Sequence, residues 1–253
     1  MNRSIVFLTT PTSATASLWR VLLAMNGGRY KPFDIVHRHY VAQRMDLVAT
    51  EVPPATGHLV KHNAPHLFNR ATPLADYRFL LHARDPRDVL CNQYHWHFVH
   101  PFPGETPEQE AARRQRIAAM GIDEWVLAQD FTPTFRGFMD VAQRINPADR
   151  LFIGYVRYCL HFDEVMERIA NFLGTSIDAM TPAQLAALEQ ERVANLAGNP
   201  KWIGQTWAGA DTAPGRHRQE LQPRTIWKLS NRYAWFLDFL RETDDPRVTA
   251  EYN

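Results

Sequence analysis

Two short runs in this sequence carry residue types suited to holding an anion. The first, Thr10-Pro11-Thr12-Ser13-Ala14-Thr15-Ala16, lies between an apolar run (Ser4–Thr9) and a helical pattern with Leu18, Val21, Leu22 and Met25 on one face. Backbone N–H groups at such a strand-to-helix turn converge on one spot. The helix start adds partial positive charge, and the Ser13 and Thr15 hydroxyls add donors. Ser and Thr also cap helices that hold no ligand, so this run alone does not make a site. It is not a Walker A loop, because the Gly-Lys-Ser/Thr ending and its lysine are missing. The second run is Arg84-Asp85-Pro86-Arg87-Asp88-Val89, directly after the apolar Arg78–Ala83. Arg84 then stands at the carboxyl end of a strand, where open α/β sheets bind ligands, and its planar fork suits a phosphate. Asn92, about two helical turns on, offers a further donor. The competing role for Arg84 is an ion pair with Asp85 or Asp88.

A base is the third requirement of transfer chemistry, and histidine titrates in the right range. Val60-Lys61-His62-Asn63-Ala64-Pro65-His66 offers two candidates, and His58 precedes them. The chain has 11 histidines, so most must be ordinary polar or packing residues. His95 and His97, beside Tyr94, Trp96 and Phe98, read as packing or pocket residues rather than metal ligands. The two cysteines, Cys91 and Cys159, are isolated and too few for a zinc site, and no metal is expected.

The elements that must position these groups alternate in type. Strands are expected at Ser4–Thr9, Phe33–Val36, His58–His62, Arg78–Ala83 and Leu151–Tyr155. Asp85 as N-cap, Pro86 at the first helical position and Asp88 in the first turn start a helix running to about His97. Further helices are expected over Glu108–Met120, Asp123–Gln129, Phe135–Ile145, Phe162–Leu173 with Gly174 as its stop, Thr181 to about Ala194, and Pro223–Arg241. This order predicts a single α/β domain over residues 1–253, with a mainly parallel central sheet flanked by helices.

The charge balance sets a boundary on function. Lys+Arg is 28 against Asp+Glu 27, a net charge of +1, so no bulk electrostatic footprint for nucleic acid exists and any anion site must be local. No apolar stretch approaches the ~20 residues of a membrane span. The run Met1–Leu8 is too short for a signal peptide, and a cytoplasmic protein is expected.

Together these pieces resemble the sulfotransferase family that uses 3′-phosphoadenosine 5′-phosphosulfate (PAPS). Its members open with a strand, a Pro-Lys/Arg-Ser-Gly-Thr loop for the 5′-phosphosulfate, and a helix. Pro11-Thr12-Ser13-Ala14-Thr15 stands in that place. The family's Arg-Asp/Asn-Pro-Arg/Lys-Asp-Val run is similar to Arg84–Val89, with Asn92 where a serine holds the 3′-phosphate. Arg157-Tyr158, Ile169-Ala170-Asn171-Phe172-Leu173-Gly174 and Gly215-Arg216-His217-Arg218 resemble later family segments, the last of which closes over the donor. The resemblance implies a P-loop-like nucleotide-binding fold and PAPS as co-substrate, with PAP as product. It also implies in-line sulfuryl transfer to a hydroxyl or amine on a small-molecule, glycan or lipid acceptor. The implied donor site is Pro11–Ala16, Arg84, Asn92, Arg216 and Arg218. His62, 22 residues before Arg84 (84 − 62), takes the family's base position in an ungapped register; His66 is the stand-in if a gap is allowed, and His58 comes third.

The departures are as informative. Thr12 stands where the family carries a cation that stabilises the breaking bond. Its loss removes several kcal/mol of transition-state stabilisation unless Arg20, Arg216 or Arg218 substitutes. Ala14 replaces a glycine and is tolerable only with negative φ. His217 replaces a tryptophan, and no Arg-Lys-Gly precedes Gly215. A catalytically weak or silent relative is therefore the main alternative, with a P-loop kinase a distant one. Residues 104–121 and 197–215 are expected to form lids, with Phe102, Trp202 and Trp207 suggesting an apolar acceptor.

Overall fold

The computed structural model describes residues 3–34, 54–65, 73–102, 104–192 and 214–253. Five strands, β1 (Ile5–Thr9), β2 (Lys31–Asp34), β3 (His58–His62), β4 (Arg78–Ala83) and β5 (Arg150–Gly154), form one sheet in the order β2-β3-β1-β4-β5. Every pairing is parallel. β1 is central because all five of its residues are apolar or small enough to be buried on both faces. Its side chains alternate between two cores. Ile5 and Phe7 pack with Leu18, Val21 and Leu22 of α1 (Thr15–Asn26) and with Ile169 of α6 (Phe162–Leu173). Val6 and Leu8 face the opposite core, with Val89 and Leu90 of α2 (Pro86–Val99) and Phe135 and Phe138 of α4 (Thr132–Arg144). A period of two along a strand delivers this partition.

The chain runs from β1 outward to β2, returns to pair β3 with β1, then crosses to pair β4 on the other side. The reversal falls between β1 and β4, and ligands of open parallel sheets bind at the carboxyl edge of such a reversal. The expected strands are present, with two shifts. The second ends at Asp34 as described, because residues 35 and 36 lie outside the described residues. The fifth stops at Gly154, and Tyr155 opens α5 (Tyr155–Leu160) instead of ending the strand. A Cβ at Gly154 would sit 1.7 Å from Asp244 Oδ2, so only glycine lets the chain turn here.

α2 starts as the sequence dictates: the Asp85 carboxylate accepts the Arg87 N–H at 2.8 Å, with Pro86 in the first turn. The two helices expected over 108–129 join as α3 (Pro107–Ala128), broken at Gly121, whose φ of 70° no other residue adopts cheaply. α3 opens with a Thr106–Gln109 capping box, and buried Arg113 donates to the His97 carbonyl at 2.6 Å. Residues 107–121 are thus a helix fixed on α2, not a loose lid. α7 (Pro182–Glu189) ends earlier than Ala194. The expected Pro223–Arg241 helix is two, α9 (Pro223–Arg232) and α10 (Ala234–Thr243), parted at buried Tyr233. The short α8 (His217–Glu220) packs against α2 and α9. No helix among the described residues is long and apolar enough to cross a membrane.

Candidate functional site: an anion loop and a buried charge network

The loop after β1 is fastened to β4 by backbone and hydroxyl groups. Thr10 N–H donates to the His82 carbonyl at 3.1 Å, and Arg84 N–H donates to Thr10 Oγ1 at 3.2 Å. Inside the loop, Thr10 Oγ1 meets Ser13 Oγ at 2.5 Å and Thr9 Oγ1 meets Thr15 Oγ1 at 3.1 Å. Ser13 is buried, whereas Pro11, Thr12, Ala14 and Thr15 are half-buried and Ala16 is exposed. No side chain caps α1, so its first-turn amides are left for another acceptor.

The condition set for Ala14, a negative φ, is not met. Ala14 sits at φ 56° and Thr12 at φ 51°, the described non-glycine residues with positive φ. A left-handed residue with a Cβ costs ~1–2 kcal/mol, and a β-branched threonine is among the worst placed. Strain of this kind persists where the surroundings over-determine the backbone, and alternating left-handed residues form a concave nest of N–H groups. The loop therefore adopts the left-handed conformation that glycine would allow, without the glycine.

Arg84 leaves the end of β4 fully buried. Its guanidinium lies 4.0 Å over the Tyr155 ring, donates from Nη1 to the Thr12 carbonyl at 3.4 Å, and pairs through Nη2 with Asp88 at 3.4 Å. Both roles weighed for Arg84 thus meet in one side chain: it reaches the loop, and it pairs with Asp88. Its Nε has no hydrogen-bond partner among the described residues. Asn92, one turn beyond Asp88, accepts from Arg216 Nη1 at 2.9 Å, and Arg216 also donates to Glu220. Arg84, Asn92 and Arg216 are brought together; Arg218 is not. Its side chain is 43% exposed and pairs with Glu251 at 3.0 Å. Arg20 is likewise held by Glu191, at 2.5 Å, whereas Arg84 reaches the loop.

The base candidates separate cleanly. His62 ends β3, opposite Leu8 of β1, on the same carboxyl edge as the loop and Arg84, and it is buried. His58 stands at the other end of β3, where Thr56 Oγ1 meets its Nδ1 at 2.6 Å and Ser4 Oγ accepts its backbone N–H. Burial and the Lys31 charge lower its pKa. Position at the amino edge removes His58 from the candidates. His66, Trp202 and Trp207 lie outside the described residues, as does most of the second expected lid.

Asp88, His217 and His82 were not singled out as site residues. Asp88 accepts three hydrogen bonds from the C-terminal segment: Gly215 N–H at 2.9 Å, His217 N–H at 3.0 Å and His217 Nδ1 at 2.7 Å. Burial would raise its pKa, but the Arg84 charge and the His217 hydrogen bonds outweigh this and hold it well below the usual range. The residue expected only to favour the α2 start thus anchors residues 215–217 beside Arg84. His82, fully buried in β4, touches the loop from beneath. The alternation of β4 gave a weak signal for it, a polar residue at an apolar core position. Burial drives both thiols upward in pKa, Cys159 to about 12, so neither is a nucleophile at neutral pH. No group of three or more His, Cys, Asp and Glu among the described residues is placed to hold a metal.

No protein-family model matches the chain, and no curated protein matches it in sequence. Solved structures do match in fold. A mouse sulfotransferase, SULT7A1, complexed with PAP, is 14% identical with a TM-score of 0.62, covering 99% of this chain and 88% of its own. Retinol dehydratase in a complex with retinol and PAP is 16% identical with a TM-score of 0.57, covering 97% and 83%. Retinol dehydratase with androsterone and inactive cofactor PAP is also 16% identical, with a TM-score of 0.54 and the same coverage. The chain has the sulfotransferase fold, as the sequence led us to expect.

Proposed function

We propose that this chain binds PAPS and moves its sulfuryl group to a hydroxyl or amine of a small-molecule, glycan or lipid acceptor. The observation that carries the reading is the meeting of three parts on the carboxyl edge of adjacent strands. These are the amide nest after β1, Arg84 after β4, and His62 at the end of β3. PAP in the structures of the same fold supports the choice of nucleotide.

The residues present fit such a ligand. First-turn amides of α1 without a capping side chain and the nest at Thr12–Ala14 suit the sulfate end. The Nε of Arg84 has no partner among the described residues, and with Asn92 and Arg216 Arg84 suits the 3′-phosphate. Arg218 enters only if it leaves Glu251. PAPS supplies an activated sulfuryl group and a stable leaving phosphate. The chain's part is to orient the donor, exclude water and accept the acceptor's proton at a ring nitrogen of His62. Such transfer, like phosphoryl transfer, rests on positioning and charge stabilisation and needs no covalent enzyme intermediate.

A second reading, a nucleotide-binding relative with weak or no turnover, is favoured by one feature. Thr12 brings no cation, and its hydroxyl is directed to the Val89 carbonyl at 3.4 Å. Transfer of labelled sulfate from PAPS to a panel of phenols, alcohols, amines and glycans separates the two. The first reading predicts turnover that His62→Ala abolishes while PAP affinity is kept. PAP binding with no transfer to any acceptor favours the second.

A further inference from the structure

His82 is in an unusual hydrogen-bonding position for a neutral histidine. Its ring is completely buried, with Nδ1 2.8 Å from the Ile153 carbonyl of β5 and Nε2 against the Ser13 carbonyl of the anion loop. Both partners are pure acceptors. A neutral imidazole has one N–H, so it satisfies one carbonyl and turns a lone pair on the other. Only the imidazolium satisfies both. The Ser13 contact also orients the loop. A trans peptide sets C=O and N–H on opposite sides, so drawing the Ser13 carbonyl toward His82 points the Ala14 N–H away from it. Ala14 and Thr12 are the two strained residues of the nest, and His82 is the side chain that grips the peptide between Ser13 and Ala14.

We propose that His82 is a proton-linked positioning residue, which takes up a proton when an anion occupies the loop after β1 and, as imidazolium, locks the Ser13 and Ile153 carbonyls together. It would thereby supply from beneath the positive charge that Thr12 does not. The inference rests on the reading of that loop as an anion site.

The surroundings agree with a ring neutral in the free protein and poised to charge. Burial lowers its pKa to about 4, the nearby Arg84 charge works in the same direction, and the two carbonyl contacts oppose them. Arg84 is the charged group of β4 that acts on it, already paired with Asp88. From α5, the Tyr155 and Tyr158 rings lie 6.3 and 5.9 Å away, and burial holds both phenols neutral. From β1, Phe7 contributes only a ring. Toward α1 the next charges are Glu191 and Arg20, which pair with each other and reach Tyr158 through Ser17. No carboxylate touches His82 among the described residues, so the charge that would favour its protonation must arrive with the ligand. A polyanion across the loop does that.

The test follows the His82 ring resonances of the full chain by NMR, with and without PAP, assigned by their loss in His82→Gln. The ring is expected to stay neutral down to about pH 5 in the free protein and to gain at least about one pKa unit with PAP bound. Calorimetric titration with PAP at about pH 5, in two buffers of different ionisation heat, is expected to show proton uptake. His62→Gln keeps that uptake, and His82→Gln, which retains a neutral donor near Nε2, loses it. PAP binding with a neutral His82 and no uptake would overturn the inference and leave the donor-site reading intact. If PAP does not bind, the donor-site reading falls. The same NMR titration with inorganic sulfate then decides whether an anion on the loop protonates His82.

Discussion

The loop after β1 and the C-terminal segment both reach Arg84 and are held by opposite means. Residues 10–16 are held by backbone contacts, hydroxyls and one buried ring, with two left-handed residues under strain and no cation of their own. Residues 215–220 are held by charge, through Asp88 on Gly215 and His217 and through Asn92 and Glu220 on Arg216. The first arrangement fixes a shape and leaves the electrostatics to what binds. The second satisfies buried charges internally, and Arg84 belongs to both. A donor nucleotide spanning both would meet a preformed cradle at one end and a charge network that must share its arginines at the other.

The comparison breaks most easily at Asp88. Asp88→Ala leaves Arg84 buried without its carboxylate and frees the Gly215–His217 segment. A stability loss of about 3–5 kcal/mol is expected in denaturant unfolding, the size seen when one member of a buried ion pair is removed. An unchanged midpoint would mean the charge network does not hold the C-terminal segment.

The loop side breaks through pH. The folded-state pKa of His82 is lowered to about 4, from ~6.5 in an unfolded chain, so the neutral ring favours the fold fully only above the unfolded value. Stability then falls as pH drops from ~6.5 toward 4, by about 3 kcal/mol in all. His82→Gln flattens that part of the profile in thermal unfolding followed against pH. An identical slope in the variant would assign the acid loss to other groups.

Two smaller effects sharpen the contrast. Arg84→Lys keeps a charge beside Asp88 but loses the planar fork over Tyr155. PAP affinity is expected to fall by about tenfold with folding preserved. Ala14→Gly relieves the left-handed Cβ and is expected to stabilise the protein by roughly 1 kcal/mol. A lower melting temperature in that variant would show that the loop does not hold φ positive in solution.

The sequence carried the frame of the site further than its interior. Apolar runs ending at Thr9 and Ala83, a loop without glycine and an Asp-Pro helix start were enough to put the nest and Arg84 on one edge, because a parallel sheet leaves its loops there. His62 was implied only by the family resemblance in an ungapped register, and the strand order puts it on that same edge. The φ of Ala14 went the other way because residue type is a prior that fixed surroundings override. Here Thr10 is tied to β4, and the Ser13 carbonyl to His82, on either side of the strained pair. The need for glycine at position 154 depends on Asp244, ninety residues on in sequence, which occupies the place of a Cβ. Asp88 carried a local signal, the helix start, that concealed a long-range one. Besides Arg84, its partners lie beyond residue 214, and no periodicity links it to them.

The central claim is that the carboxyl edge at β1 and β4 is a PAPS site. Calorimetric titration of the protein with PAP, with ATP as control, tests it most directly. The account predicts PAP binding with a Kd on the order of micromolar and no measurable ATP binding. No PAP binding, or equal affinity for ATP, would contradict it.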